Sequence, residues 1–400
     1  MPVWHEKTRA WVKAGRLVVL GVAQEQHPDR CRLWLQWRGI GWPVLHDPIT
    51  KTGLTAVPVL TAIDEWGVVR LTRPDLDTFE HEFLDRTFPK PGEPVPDSGP
   101  AMAPNRTRLL AEARAKNSAA AWRDYGDAAL LWGTAKGQPD ALDAYRRALT
   151  ADPADAASRF RLGVAYRIRY DSPAREEGDF QAALNAWSAA LALDPNQYIW
   201  RRRIQQYGPR LDKPYPFYDW VDEARTAIRA RGETPIPLMA EPTGAETAAP
   251  LKELSSAAPI AEPDPRAKVT RDAGRFVQIE AALAPGSVKA GEATRLHLVV
   301  RVNATNKAHW NNEAEPLRIW LNVPPGWETE QRLIELPNPR AATSVEVRQI
   351  SVELRAPKST PAGPVTLSGY ALYNVCEDVN GVCLFRRQDV RVRIQVVPPP

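Results

Sequence analysis

Two cysteines flank a short turn near the C-terminal end of the chain and restrict how that region can fold. The stretch Gly369–Arg387 contains Cys376 and Cys383, two of the three cysteines among 400 residues. Alternating apolar residues on both sides predict two strands, and Asn380-Gly381 is a typical hairpin turn signal. Cysteines that flank such a turn can reach the distance that a disulfide requires. Because the loop is short, the bond would stabilise the fold only modestly. The pair is therefore a candidate for reversible thiol–disulfide exchange.

The residues around this hairpin predict an antiparallel β-sandwich over residues 268–400. Turn signals such as Pro-Gly and Ala-Gly separate about seven short alternating segments. The segment His309–Asn312 is expected in a loop between strands, and no chemistry is assigned to it. The predicted strands are Val277–Ala281, Thr294–Val302, Leu317–Val323, Val345–Leu354, Val365–Tyr373, Leu384–Phe385 and Asp389–Val397.

The cysteine hairpin also resembles a known family. Tyr373–Cys376, a short acidic loop, Cys383 and a closing strand are similar to the N-terminal periplasmic domain of DsbD-type thiol:disulfide interchange proteins, over roughly residues 276–398. The resemblance implies an immunoglobulin-like fold in which Cys376 and Cys383 exchange electrons with a thioredoxin-like or other redox protein. The family shields its pair with a loop aromatic, and Trp327 is the candidate for that role. A plain structural disulfide in a secreted sandwich remains the alternative.

The N-terminal residues 1–88 have the element order of an α/β fold. The apolar run Leu17–Val22 predicts a buried parallel strand. Trp4–Ala14, Pro28–Trp37 and Leu76–Phe88 have helical composition, and three further short strands are expected between residues 43 and 70.

Within this segment, Gly21–Arg70 resembles thioredoxin-like redoxins of the TlpA type, through Gly-Val, Trp-Pro-Val-Leu-His-Asp, Ala-Val-Pro and Ile-Asp-Glu-Trp-Gly-Val-Val-Arg. The proline that matches Pro58 is cis in the family and faces the active-site cysteines. The resemblance therefore implies a cis Val57–Pro58 bond and makes Val57 and Pro58 partner-facing candidates.

The chain departs from this family at the point where the family does its chemistry. No Cys-x-x-Cys lies near Trp4, where the family's motif would begin, and the strand before it is absent. Either the module is degenerate and non-catalytic, or the chain starts late, which would also remove a signal peptide. In both cases an open sheet edge is expected beside Leu17–Val22. The location is expected to be periplasmic or extracytoplasmic if the true N-terminus carries an export signal, and cytoplasmic as written.

The third cysteine, Cys31, is near a predicted helix N-terminus between Arg30 and Arg32. These neighbours would lower the pKa of its thiol. Cys31 is not at the family's motif position, however, and a lone cysteine is more often a small buried apolar residue.

A proline-rich linker, residues 89–105, is followed by an alanine-rich helical segment, residues 106–230, that contains a repeat. Ala141, Tyr145, Ala148 and Pro153 recur as Ala183, Trp187, Ala190 and Pro195. These offsets are similar to tetratricopeptide repeats. The small and aromatic residues are expected in the core, where they allow helices to pack closely. The groove of such an array usually binds a protein or peptide, but with two or three repeats a purely structural spacer is an equal alternative. Trp200–Arg203 is basic and aromatic; a solvated helix face is preferred over a docking site for an acidic partner.

Residues 231–267 are rich in Pro, Ala and Glu and are predicted to be a second flexible linker. The formal net charge of +4, from 52 basic and 48 acidic residues, argues against a nucleic-acid binder. No apolar window is long enough to span a membrane. Neither a cofactor motif nor metal-ligand spacing is present. Two functions stay open: a thiol–disulfide exchange module whose repeats dock a protein partner, and a non-catalytic scaffold with a structural disulfide. The predicted fold class is multidomain, with α/β, α and β parts.

Overall fold

The computed structural model of the chain describes residues 2–92, 103–133, 137–210, 220–244, 254, 260–377 and 381–398. Two compact units are present. The first consists of Met1–Ala165, Ala190–Arg203 and Trp220–Met239, and the second of Tyr166–Ala189, Ile204–Asp219 and Ala240–Pro400. Helices and sheets both occur, so the mixed class is confirmed. The division between the units runs through the helical segment 106–230, which the sequence pattern assigns to one domain.

The first unit begins with short elements that agree broadly with the predicted order. A parallel pair and an antiparallel pair of strands form two separate two-stranded sheets. The predicted C-terminal helix is reduced to one π-helical turn, Glu80–Leu84. The elements are α1 (Pro2–Lys13), β1 (Gly21–Ala23), α2 (Pro28–Arg38), β2 (Val44–His46), β3 (Thr61–Ile63) and β4 (Val69–Thr72), with β1 paired to β2 and β3 to β4.

The strand β1 has an open edge. Within residues 2–92 its partner is β2 alone, which agrees with the open edge predicted beside Leu17–Val22. The expectation that this run is buried was wrong, since Val18, Leu20 and Val22 are 85%, 54% and 46% exposed. Only its first residue, Leu17, packs against the cluster built on Phe79. The thioredoxin-like assignment stays a prediction.

Seven α-helices follow in the described parts of the chain: α3 (Arg106–Lys116), α4 (Ala119–Trp132), α5 (Gly137–Ala151), α6 (Ala156–Tyr170), α7 (Asp179–Leu193), α8 (Tyr198–Gln205) and α9 (Trp220–Ala230). The repeated alanine and aromatic positions lie on α5 and α7 and are fully buried: Ala141, Tyr145 and Ala148 on the first, and Ala183, Trp187 and Ala190 on the second. They are core residues, as the repeat pattern predicts.

A glycine allows α4 and α5 to approach closely. A Cβ atom on Gly126 would lie 2.7 Å from the Tyr145 ring, so a larger residue has no room there. The Tyr145 hydroxyl donates to the carboxylate of Asp127 at 3.0 Å. Burial, with the nearby Asp127 charge, raises the pKa of Tyr145 well above its usual value, so the hydroxyl keeps its proton. Lys51 and Arg161 each donate to the other oxygen of Asp127 at 2.8 Å. The Asp127 carboxylate therefore links α4, on which it lies, to α5, to α6 and to the loop that contains Lys51.

Arg203 on α8 is a second polar tie in the first unit. Its side chain is 1% exposed. It donates to the side-chain oxygen of Gln26 at 2.5 Å and to the carbonyls of Gln24 and Pro48 at 3.0 and 3.2 Å. The prediction of a solvated face at Trp200–Arg203 was therefore wrong for Trp200 and Arg203, which are buried, whereas Arg201 is exposed. A buried guanidinium is tolerated because backbone and amide oxygens replace its water.

The start of the predicted second linker is also held in the first unit. Arg231 donates to the carbonyls of Trp37 and Gln36 at 3.1 and 2.9 Å. The amide of Ile236 donates to the side chain of Gln36 at 2.9 Å. Trp37 stacks on Trp220, with 5.9 Å between ring centroids. Residues 231–236 are therefore anchored to α2.

The second unit contains two sheets that share one core. One has the order β10-β13-β7-β5, and the other β11-β9-β14-β15-β6, with β8 joined to β14 and to β12. The strands are β5 (Val277–Ala284), β6 (Ser287–Lys289), β7 (Ala293–Val302), β8 (Ala308–Asn311), β9 (Leu317–Asn322), β10 (Glu328–Thr329), β11 (Leu333–Leu336), β12 (Thr343–Ser344), β13 (Arg348–Arg355), β14 (Gly363–Glu377) and β15 (Cys383–Val397).

Alternation along these strands builds the core. Leu296 and Leu298 on β7 belong to the same buried cluster as Trp310 on β8, Tyr373 on β14 and Ile394 on β15. Each large apolar side chain removed from water contributes about 1.5–3 kcal/mol. The core therefore holds the two sheets together, while the immunoglobulin-like topology stays a prediction.

The opposite face of the first of these sheets carries a buried polar layer. His297 Nε2 lies 2.7 Å from the Tyr207 carbonyl and its Nδ1 lies 2.8 Å from the Ser351 hydroxyl. Because a carbonyl only accepts, Nε2 carries the proton and Nδ1 accepts from Ser351. Beside them Arg295 and Glu353 form an ion pair at 2.8 Å; burial lowers the pKa of Arg295 and raises that of Glu353. This layer seats residues 204–210 on the sheet and has a structural role.

Replacing Gly126 with alanine tests the close approach of α4 and α5. We expect Gly126→Ala to destabilise the protein by about 1–3 kcal/mol, because the added methyl overlaps a fully buried ring. Gly41→Ala is the matched control, since a Cβ there meets open space, and it should change stability by less than about 0.5 kcal/mol. Urea denaturation midpoints measure both, and an equal or higher midpoint for Gly126→Ala would contradict this packing.

Candidate redox site

The strands β14 and β15 bring the two C-terminal cysteines together. They pair in continuous antiparallel register from Gly363 opposite Val396 to Cys376 opposite Cys383. The cysteines form a disulfide whose Cα atoms are 3.9 Å apart. The predicted bond is confirmed. Residues 378–380 of its turn, which include Asn380, lie outside the described residues.

Side-chain alternation puts the disulfide on the sheet face opposite the core. Tyr373 and Val375 belong to the core cluster, so Cys376 points to the other face. Cys376 is nevertheless 3% exposed, whereas Cys383 is exposed. A thiolate from another protein can therefore approach the sulfur of Cys383 more easily than that of Cys376.

A histidine lies in the same row as the disulfide. Ala308 and Trp310 of β8 are core residues, so His309 between them points to the opposite face. In the register of β8 and β14, His309 is directly opposite Cys376. Sequence analysis placed this residue in a loop and gave it no role. The alternation of Ala308, His309 and Trp310 could have revealed a short strand, although four residues are a weak signal.

Exposed apolar residues flank Cys383 in the sequence. Val382 and Phe385, on either side of Cys383 and Leu384, are 48% and 37% exposed. Phe385 lies opposite Asn374 on the same face as the disulfide. Exposed apolar side chains beside a reactive atom are typical of protein contact sites.

The tyrosine upstream of the pair supports the site from the core side. The Tyr373 hydroxyl donates to Asp272 at 2.7 Å. Burial, and then its bond to Asp272, raise the pKa of Tyr373 far above its usual value. The same carboxylate accepts from the backbone amides of Arg275, Phe276 and Val277 at 2.8–3.2 Å. Tyr373 therefore fixes β14 against the start of β5.

The structure does not bring Trp327 to the disulfide. β9 ends at Asn322, opposite Ser368 of β14. Cys376 is eight residues further along that strand, about 26 Å away at the usual rise. Trp327 is 4% exposed within the core cluster, and it precedes β10, which pairs with β13. Its predicted role as a cap was wrong because the Pro-Pro-Gly turn directs it inward at the other end of the sheet.

The Val57–Pro58 bond is cis, as predicted. Val57 is 50% exposed. Both residues belong to the first unit, while the disulfide belongs to the second. Their partner-facing role stays a prediction.

The environment of Cys31 differs from the expected one. Cys31 is half-buried. Burial, and then the charge of Glu25, raise the pKa of its thiol, and the opposing effect of Arg32 is smaller. The expectation of a lowered pKa was therefore wrong. The environment agrees with the alternative of a small apolar residue.

Neither a metal cluster nor a membrane helix is found in the parts of the chain that the structure describes. There, no group of three His, Cys, Asp or Glu side chains is placed to hold a metal ion. No described helix is long and apolar enough to cross a bilayer.

Comparison with known proteins gives no family. No family model and no curated protein match the chain. Among solved structures, a protein of unknown function from Porphyromonas gingivalis W83 is 14% identical over 30% of this chain and 48% of its own, with a TM-score of 0.20. The sporulation control protein Spo0M from Bacillus subtilis is also 14% identical, over 30% of this chain and 49% of its own, with a TM-score of 0.17. The chain thus spans about half the length of these two proteins.

The disulfide should contribute little to the stability of the second unit. We expect the double variant Cys376→Ala with Cys383→Ala to lose less than about 2 kcal/mol, because the closed loop is short and the rest of the β14–β15 ladder remains. Denaturant midpoints in the Cys31→Ser background measure this. A loss of 2–5 kcal/mol, the range typical of a structural disulfide, would contradict it.

Proposed function

We propose that the chain is a thiol–disulfide exchange module that uses the Cys376–Cys383 pair. The observation that carries this proposal is the asymmetry of the pair, in which the residue Cys383 is exposed and Cys376 is buried. Exchange requires one sulfur open to attack and another that leaves.

The exposed sulfur sets the order of events. A partner thiolate attacks Cys383, a new sulfur–sulfur bond forms, and the Cys376–Cys383 bond breaks with its electron pair on Cys376. The partner's second thiol then attacks the partner sulfur of the mixed disulfide. This step forms the partner's disulfide and releases Cys383. Two electrons have moved from a dithiol to the pair. In the reverse sequence the reduced pair donates two electrons to a partner's disulfide, and the Cys376–Cys383 bond forms again.

The partner is a thioredoxin-like or other redox protein. The exposed Val382 and Phe385 supply apolar contact area beside the sulfur. In the first unit, the helical hairpins provide a groove for a protein or peptide. The loop that contains Val57 and Pro58 provides a second surface that faces a partner. A periplasmic or other extracytoplasmic location goes with this proposal, since disulfides persist there.

A non-catalytic scaffold is the second candidate function. It is favoured by the way that the N-terminal segment is tied to helices through Asp127 and Arg203. In the described residues of that segment Cys31 is the sole cysteine, so no local pair can take part in exchange there. Under this alternative the disulfide at Cys376 is structural.

Single-cysteine variants test the order of attack. In a Cys31→Ser background, Cys376→Ser leaves an exposed thiol at Cys383, and Cys383→Ser leaves a buried thiol at Cys376. We expect the first variant to react with Ellman's reagent at least about tenfold faster, because access controls the rate. Only the first should form a mixed disulfide with the disulfide form of thioredoxin.

The intact pair in the same background separates the two functions. Equilibration with glutathione buffers gives its reduction potential, and a variant without any cysteine is the blank. A potential well below about −300 mV, typical of structural disulfides, together with equal reactivity of the two thiols, would leave the scaffold as the better description.

A further inference from the structure

We infer that His309 is a positioning residue for the exchange reaction, in that its imidazolium stabilises the thiolate that leaves from Cys376. This inference rests on the proposed function and adds a residue to the same site. It comes from the row of three side chains His309, Cys376 and Cys383, which belong to the neighbouring strands β8, β14 and β15.

The register determines which atoms can meet. Residues directly opposite in antiparallel strands have Cβ atoms about 4.5–5.5 Å apart on one face. Cys376 has Cys383 opposite it on one side and His309 on the other. When the disulfide opens, the sulfur of Cys376 loses its bond to Cys383, and the imidazole is the ring next to it on that face.

Burial makes this neighbour important. The Cys376 side chain is 3% exposed, so water stabilises its thiolate poorly. A cationic neighbour lowers the cost of forming a thiolate. His309 is partly exposed and directly opposite Cys376, which makes it the cationic neighbour that the inference needs.

Among the described residues, Glu377, Lys307 and Arg386 are charged side chains close to this row. Glu377, next to Cys376, forms an ion pair with Arg275 at 2.9 Å. Lys307 ends the short 3-10 turn before β8. Arg386 is opposite Tyr373, a position whose side chains point to the core face. In the described parts of these strands, His309 is the ionisable residue directly opposite Cys376 on the face of the disulfide.

The reaction balances without a further reagent. A partner thiolate forms a bond to Cys383, the electron pair of the broken bond goes to Cys376, and the thiolate pairs with the proton-bearing ring of His309. The partner's second thiol then releases Cys383, and the partner leaves as a disulfide. In the reverse direction, the Cys376 thiolate held by His309 attacks the mixed disulfide at Cys383.

Variants of His309 in the Cys31→Ser background test the inference. The probes are dithiothreitol and glutathione redox buffers. We expect His309→Phe to shift the equilibrium towards the disulfide by about tenfold, which is about 30 mV for two electrons, and to slow reduction by dithiothreitol. His309→Gln should behave like His309→Phe, and His309→Lys should retain values close to the parent protein because it restores the cation.

Two controls distinguish an effect of the imidazole from a general change in the fold. Asn311→Phe changes the same face of β8 two residues away and should leave the potential unchanged. Denaturation midpoints of the oxidised variants show whether the fold is intact. Equal potentials for the parent, His309→Phe and His309→Lys would overturn the inference, and so would a shift that His309→Lys shares with His309→Phe.

Failure of the proposed function gives a different result. In that case the parent disulfide resists glutathione and the single-cysteine variants react equally, whatever residue is at position 309. The reduction potentials of the His309 variants can still be compared in dithiothreitol buffers, so the inference is tested in either case.

Discussion

The pairing of β14 with its neighbours decides the geometry of the candidate site. β14 pairs with β15 along its whole length on one side and with β9 and β8 on the other. A slip of one residue would move every side chain of the strand to the opposite face. The core positions Tyr373 and Val375 prevent such a slip, since each would lose its buried contacts. Packing of one face therefore holds the disulfide in place on the other.

This arrangement separates stability from reactivity. Tyr373 and its bond to Asp272 act on the core side of β14, while Cys376 lies on the opposite side with Cys383 and His309. Opening the disulfide removes one covalent link but none of the core contacts. A hairpin held by its own ladder and by a packed face can keep its shape through both redox states, which an exchange site requires.

The sequence predicts much of the fold because its local signals are strong. Long alternating segments located β7, β13 and most of β14, and a shorter one located the first part of β5. The strand β15 was predicted as two separate pieces, Leu384–Phe385 and Asp389–Val397. The repeated alanine and aromatic positions located the buried faces of α5 and α7. Asn380-Gly381 between two cysteines was enough to predict the disulfide. These features depend on periodicity and turn chemistry, which are local properties.

The wrong predictions concern residues whose positions depend on tertiary contacts. His309 lies on a strand of four residues that exists because β14 pairs with it. Trp327 was assigned to the disulfide from its turn, but the register places it at the other end of the sheet. Arg203 looked like a solvated cation, yet three oxygens from residues 24–48 bury it. None of these partners is near in sequence, so no local pattern identifies them.

The first unit shows why the choice between exchange module and scaffold depends on the disulfide. Its open strand β1 and exposed Val57 are suited to contact with another protein, but a contact surface serves either function. Its free thiol at Cys31 has a raised pKa because of burial, so it is a poor nucleophile at neutral pH. Thiol chemistry in the described chain therefore falls to Cys376 and Cys383. Whether Cys383 exchanges with a partner thiol therefore decides between the two functions.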